Sequence, residues 1–328
     1  MTPLSLDLVV CTYNNAALLD RTLGAMSRLR VPAEIRCGVL VVDNNCADGT
    51  PEVVARWARR FPVPLRIVRE PRQGLTPARL RGVRETDGEW IAFVDDDCLL
   101  AEDWLEQAAC FAAEHPACGA FGGRVVPEWE REPPPYVLDH RYAYAAKSHG
   151  DTPHRRRWLA GAGMVVRRAA LEACGWTGRQ FLEDRVGGRL VSGGDVEIGL
   201  RVAAGHEVWF APGCTLTHLI PERRMTRPYL RRITRGLGAG RHHAAALTWT
   251  GSYPAWLLWS LAGSLGFLWM GARQVARGLL RGDAGVDVGL AFAPLCGWWA
   301  ATREMLRMDP GERRALLGCA APRRPAGR

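Results

Sequence analysis

Three consecutive carboxylates, Asp95, Asp96 and Asp97, close the apolar run Trp90-Ile91-Ala92-Phe93-Val94. A β-prone run ending in acidic residues reads as a buried strand that delivers charge to the rim of a sheet. Carboxylates this close repel one another, and a divalent cation relieves that repulsion. Alternate oxygens at a strand end suit Mg2+ or Mn2+, shared with substrate phosphates. The competing reading is a solvated acidic turn that caps a helix from about Ala101. A further carboxylate, Asp195, follows Gly193-Gly194 and precedes an amphipathic pattern from about Val196 to Ala204. At or near a helix N-terminus it serves either as an ordinary cap or as a general base.

Such groups act together only if the chain converges them. Leu6–Cys11, Val39–Val42, Leu65–Val68 and Ile91–Val94 are short β-rich runs, and Ala16–Arg28, Pro51–Arg60 and Thr76–Glu85 between them have helical spacing. This alternation predicts an α/β fold with a doubly wound, mostly parallel sheet. Ligands of such sheets bind beyond the carboxyl ends of the strands. Three of those ends are polar: Thr12-Tyr13-Asn14-Asn15, Asp43-Asn44-Asn45 and the aspartate triplet. The pattern breaks over about 127–157, where Pro133-Pro134-Pro135 and His154-Arg155-Arg156-Arg157 predict a long excursion. Helical signal resumes at Val166–Cys174, the turns Gly187-Gly188 and Gly193-Gly194 follow, and Val208–Phe210 and Thr215–Leu219 read as strands.

The chain has 328 residues, 48% of them hydrophobic and 23% charged, which excludes global disorder. Its formal charge of +9 is carried by arginine, with Lys147 the one lysine. Arginine suits phosphate, an anionic membrane or nucleic acid alike. The 10 cysteines include no Cys-x-x-Cys pair, so a zinc site or disulfide framework is not expected and a reducing compartment is. The opening Met1–Asp7 lacks the pattern of a signal peptide, so the expected location is cytoplasmic.

No charged residue occurs from Ala244 to Ala272, and a shorter apolar run covers Val288–Thr302, with Arg273, Arg277 and Arg281 between them. About 20 apolar residues span a bilayer. The tail is read as membrane-associated, either as a hairpin or as interfacial helices, against a buried helical pair of a soluble protein.

In order, Val9-Val10-Cys11-Thr12-Tyr13-Asn14, Val41-Val42-Asp43-Asn44-Asn45-Cys46-Ala47-Asp48-Gly49-Thr50, Gly88–Asp97, Ser192–Glu197 and Thr217–Arg224 resemble the family 2 glycosyltransferases, which have a GT-A fold. The resemblance covers about residues 6–240. It departs at Cys11, a position often held by proline, and at Leu80, where asparagine is common. The implied layout is a GT-A domain over 1–240, with a nucleotide-binding half to 125 and an acceptor half from 126, then a helical membrane-associated region over 241–328.

Carried over residue by residue, the resemblance implies that Thr12 and Tyr13 line the nucleotide pocket and that Asp43 accepts from uracil or ribose. Arg72 and Arg79 become nucleotide or phosphate contacts. Asp95 approaches the ribose, Asp97 the metal, and Asp96 either. His218 becomes a third metal ligand through an imidazole nitrogen. Arg223, Arg224 and Arg227 would clamp the diphosphate from a closing loop, with a solvated basic face as the alternative. Trp158, Gly161 and Gly163 would border the acceptor.

The function these readings predict is an inverting, metal-dependent transfer of sugar from a nucleotide sugar, expected to be a UDP-sugar, with Asp195 as base. The acceptor would be a lipid-linked saccharide or cell-surface glycan at the inner face of the membrane; a soluble enzyme with a small-molecule acceptor is the alternative. A nucleotidyltransferase would need a glycine-rich triphosphate loop where Thr12-Tyr13-Asn14-Asn15 stands. A basic module binding nucleic acid or anionic lipid would leave the aspartates unused, and no nucleic-acid motif accompanies the charge.

Overall fold

The computed structural model describes residues 4–146, 149–187, 190, 193–280 and 286–321; Lys147, Gly188, Ser192 and Arg281 lie outside them. The first half alternates as the apolar spacing predicts: β1 (Leu4–Thr12), α1 (Ala16–Met26), β2 (Ile35–Asp43), α2 (Thr50–Ala58), β3 (Leu65–Arg69), α3 (Leu75–Glu85) and β4 (Trp90–Asp95). These four strands pair in parallel, in the order β3-β2-β1-β4. Alternate side chains of β1 feed opposite layers. Leu6, Leu8 and Val10 pack with α1 and α2, and Val9 packs with Ala78, Leu80 and Val83 of α3. Burial on both faces explains why the strands are continuous apolar runs.

The second half adds β5 (Cys98–Leu100), α4 (Trp104–Glu114), β6 (Cys118–Gly122), β7 (Val125–Trp129), α5 (Pro135–Leu138), β8 (His154–Arg155), β9 (Met164–Arg167), α6 (Arg168–Ala173), α7 (Gly194–Ala203), β10 (Glu207–Phe210) and β11 (Leu216–Ile220). The large sheet continues β4-β9-β6-β10-β8, with β9 antiparallel to both neighbours. A smaller sheet, β5-β11-β7, stands beyond the end of β4.

One expectation is corrected. The helix expected around Val166–Cys174 is present but begins at Arg168, because Met164–Arg167 is a strand. Met164, Val165 and Val166 are buried between β4 and β6, and β-branched Val165-Val166 suits that slot.

The chain ends in α8 (Arg227–Leu247), α9 (Tyr253–Leu280), α10 (Val288–Arg307) and α11 (Pro310–Leu316). Helix α8 runs through residue 240, so the tail is continuous with the preceding domain. Gly238 and Gly297 let α8 and α10 meet backbone to backbone, since a Cβ at either would strike Pro294 or Arg235 main-chain atoms. Helix α9 joins them through Trp298 Nε1, which donates to the Ser260 carbonyl at 2.8 Å, and through the buried His242, Ser260 and Thr302.

Candidate active site

The carboxyl ends of β1, β2 and β4 are neighbours, with Thr12 opposite Asp43 and Cys11 opposite Asp95. They open on a cleft of about 1010 Å³. Thr12, Tyr13, Arg79, the three aspartates, Trp158, Gly161, Asp195, His218, Arg223 and Arg224 all line it.

The triplet divides its work. Asp96 is tied on both oxygens, by Thr12 Oγ1 at 2.6 Å and Asn15 Nδ2 at 2.8 Å, and so pins the β1–α1 loop. Asn15 stands at the cap of α1 yet makes no side-chain cap there; Asp48 accepts from Ala16 N at 2.9 Å instead. Asp95 and Asp97 point to the other side, where with Cys98 they place ligand atoms within 4.8 Å of one another. His218 Nε2 lies 3.6 Å from Asp97 Oδ2, and its Nδ1 lies 3.1 Å from the Tyr144 carbonyl.

The two carboxylates, Asp95 and Asp97, suit Mn2+ or Mg2+; His218 stands beside Asp97 but outside the group of atoms close enough to share one ion. Burial and the surrounding aspartates push the Cys98 thiol far up, and a soft sulfur is a poor match for Mg2+ or Mn2+, which favour oxygen. Burial works against the Asp97 charge, but His218 and Arg224 overcome it and hold that carboxyl well below its usual range. Arg224 Nη1 meets Asp97 Oδ2 at 2.5 Å. Asp96 is pushed up to about 7, by burial first and by Asp97 second.

Asp195 is the second residue of α7, where the helix dipole favours an anion. It does not cap the helix by its side chain; Gly193 holds the cap position. Instead its Oδ2 accepts from Gly161 N at 2.9 Å and its Oδ1 from Val196 N at 2.8 Å. Between it and the triplet lies Arg79, 3% exposed. Its Nη1 donates to Asp184 Oδ2 at 3.0 Å, and Nη2 stands 3.8 Å from Asp95 Oδ1. A Cβ at Gly161 would strike the Arg79 guanidinium and lie 3.2 Å from Asp195 Cβ, so the glycine is what lets both approach.

Four expected residues stand elsewhere. Arg72 pairs with Glu70 at 3.1 Å and is outside the cleft lining; Gln73 lines it instead. Arg227 covers the ring of Tyr136 and faces Asp287 at 3.7 Å, because it is already committed to the start of α8. Asp43 accepts from Cys46 N at 2.7 Å and shapes its own turn beneath the rim. Gly163 takes φ +70, which favours glycine, and passes its N–H to the Phe93 carbonyl at 2.9 Å.

Three contributors have no role assigned from the sequence, although two of them stand on its polar strand ends. Asn15 is one. Asn44 is another: its Oδ1 accepts from Gly74 N at 2.7 Å and its Nδ2 donates to the Arg72 carbonyl at 2.7 Å, which staples the β3–α3 loop. Asp184 is the third. Its signal was an acidic pair, Glu183-Asp184, in an aperiodic stretch just before the glycine turns.

The class now has independent support. The glycosyl transferase family 2 model matches residues 7–174, about half of the chain, and the chain belongs to that family. Among its relatives, succinoglycan biosynthesis protein ExoM of Rhizobium meliloti is 26% identical over 246 residues, 73% of this chain and 75% of that protein. Glycosyltransferase AglE of Haloferax volcanii is 30% identical over 101 residues, only 31% of this chain and 33% of that protein. The solved mannosyltransferase PcManGT from Pyrobaculum calidifontis, in complex with GDP-Man and Mn2+, superposes with TM-score 0.57 and 22% identity over 96% of this chain and 85% of that one. That likeness is one of fold.

Proposed function

We propose that the protein is an inverting glycosyltransferase that uses a nucleotide-diphosphate sugar, most simply a UDP-sugar, with Asp195 as the general base. The observation that carries this reading is one cleft holding the Asp95/Asp97 pair and, across buried Arg79, a carboxylate fixed by a backbone N–H. Mn2+ or Mg2+ held by Asp95 and Asp97 would neutralise charge on the departing diphosphate. Arg223 and Arg224 supply guanidinium forks at the same rim. Thr12 and Tyr13 form the nucleotide side, and Trp158, Gly161 and Asp195 the acceptor side.

Asp195 takes the proton of the acceptor hydroxyl as that oxygen attacks the anomeric carbon and the bond to the diphosphate breaks. A single displacement inverts the centre, so an α-linked donor yields a β-linked product. The acceptor we infer is a lipid-linked or cell-surface glycan at the inner membrane face, as the apolar tail favours; a soluble small-molecule acceptor is the alternative. The relative ExoM is named for succinoglycan biosynthesis, which agrees with the first.

A screen of nucleotide sugars for slow hydrolysis, with and without Mn2+, identifies the donor. Asp195→Asn should then lower transfer by about 10²–10⁴-fold while donor affinity by calorimetry holds. Full transfer in that variant would refute the assignment.

A further inference from the structure

Helix α9 is bound to the protein by one stripe. Trp256, Ser260, Ser264 and Gly271 face inward and are buried, whereas Leu258 (69%), Leu265 (68%) and Trp269 (60%) are largely exposed, with Leu261 and Leu268 beside them. At 100° per residue the exposed arc from Leu268 round to Met270 covers roughly half the circumference. Nothing charged interrupts it between Tyr253 and Ala272, about 30 Å of helix. The helix is long and apolar enough to cross a membrane.

Its attachments argue against crossing. The inner stripe is held along its length by Trp298 of α10 and His242 of α8, and Phe292 packs over Gly271. Helix α8 carries five arginines and packs on the glycosyltransferase domain through Tyr229, Leu230 and Ile233. A spanning α9 would drag that cationic helix into hydrocarbon, where each unpaired charge is strongly disfavoured. A second copy of the chain is a poorer occupant. A coiled-coil seam is narrow and flanked by charges, and this arc is wide and flanked by alanine, glycine and methionine.

We propose that α9 lies in the plane of an anionic bilayer leaflet, with Leu258, Leu261, Leu265, Leu268 and Trp269 among the acyl chains. Arg273 and Arg277, on the exposed flank just beyond, match anionic headgroups; Arg273 already covers the Trp269 ring at 5.0 Å. The same helix supplies Phe267, Met270 and Gln274 to the wall of the catalytic cleft. Docking through α9 therefore places the cleft mouth at the membrane surface, within reach of an acceptor anchored there. The purpose of this arrangement rests on the proposed function; the binding itself does not.

The test is flotation of the purified full chain with preformed vesicles of phosphatidylcholine alone or mixed with phosphatidylglycerol. The protein should float with the mixed vesicles, bind the neutral ones at least about tenfold more weakly, and pass to a second vesicle population on mixing. Leu265→Glu should lose about tenfold or more in binding, with donor hydrolysis in solution unchanged as the check on folding; Leu261→Asn is the milder second variant. Equal flotation of both variants and the parent overturns the proposal, as does a parent that never floats. Failure to exchange between vesicles overturns the in-plane placement. A parent dimer that Leu265→Glu splits, without vesicle binding, assigns the face to a second copy and overturns it too. Flotation without any donor binding would count against the glycosyltransferase reading and leave this one standing.

Discussion

Arg79 and Asp184 form a buried ion pair, Nη1 to Oδ2 at 3.0 Å, at the centre of a group that also includes Asp95. One guanidinium is shared among more than one anion, and burial, only partly countered by Arg79, pushes the Asp184 carboxyl up to about 7. A raised folded-state value means that this group favours the folded state below its ordinary value near 3.8 and loses that contribution as pH rises through about 7. The melting temperature of the parent should therefore fall relative to Asp184→Asn between about pH 5 and pH 8. Scanning fluorimetry across that range checks it. A constant difference between the two proteins would mean that Asp184 does not titrate there.

The same pair shows where sequence reading stopped. The strand ends were legible because each is a β-branched apolar run closed by polar residues, and β1, β2 and β4 obey that pattern. Asp195 was legible because Gly193-Gly194 marks a sharp turn into a helix. Asp184 lies in a segment with no periodicity, and only its long-range partner, 105 positions earlier in the chain, gives it meaning. Arg72 and Arg227 failed for the opposite reason. Arginine was plentiful near the right motifs; Glu70, two positions before Arg72, was a competitor visible in the sequence but not weighed, whereas Asp287 meets Arg227 only through the fold. Likewise Val165-Val166 has the same composition in a helix as in a strand; the slot between β4 and β6 decides.

Gly161 is predicted to be intolerant of a single methyl group. A Cβ there meets the Arg79 guanidinium, which Asp184 and its own burial prevent from moving aside. The shift would fall on the N–H that holds Asp195, and misplacement by about 1 Å can cost about 10²-fold in rate. Gly161→Ala should lower kcat by about that factor with a small change in KM for the donor. Steady-state kinetics separates the two. A variant within about twofold of the parent would show that Asp195 needs no such anchor.

Thiol reagents should leave the chemistry alone. Cys11 lines the cleft, but burial pushes its thiol up to about 12. Cys37 and Cys214 are likewise pushed up to about 12 by burial. Cys110 and Cys296 are exposed. Iodoacetamide near neutral pH should label Cys110 and Cys296 first, because the thiolate is the nucleophile, and donor hydrolysis should persist. Peptide mass spectrometry reads the order. Inactivation that tracks labelling of Cys11 would contradict the burial argument.

Arg224 holds Asp97 Oδ2 at 2.5 Å, on a carboxylate that a divalent cation would need. The guanidinium and the cation are therefore competitors for one anion until a diphosphate arrives to occupy both. Removing the arginine strips a charge-assisted bond worth about 1.5–3 kcal/mol, so Arg224→Ala should bind Mn2+ about tenfold or more tightly in the absence of nucleotide. With donor present the order should reverse, because the diphosphate has lost a fork. Calorimetric Mn2+ titration, with and without UDP, measures both arms. An unchanged or weaker Mn2+ affinity without nucleotide would mean that the arginine organises the aspartates for the metal, and that the two cations act in sequence on different oxygens.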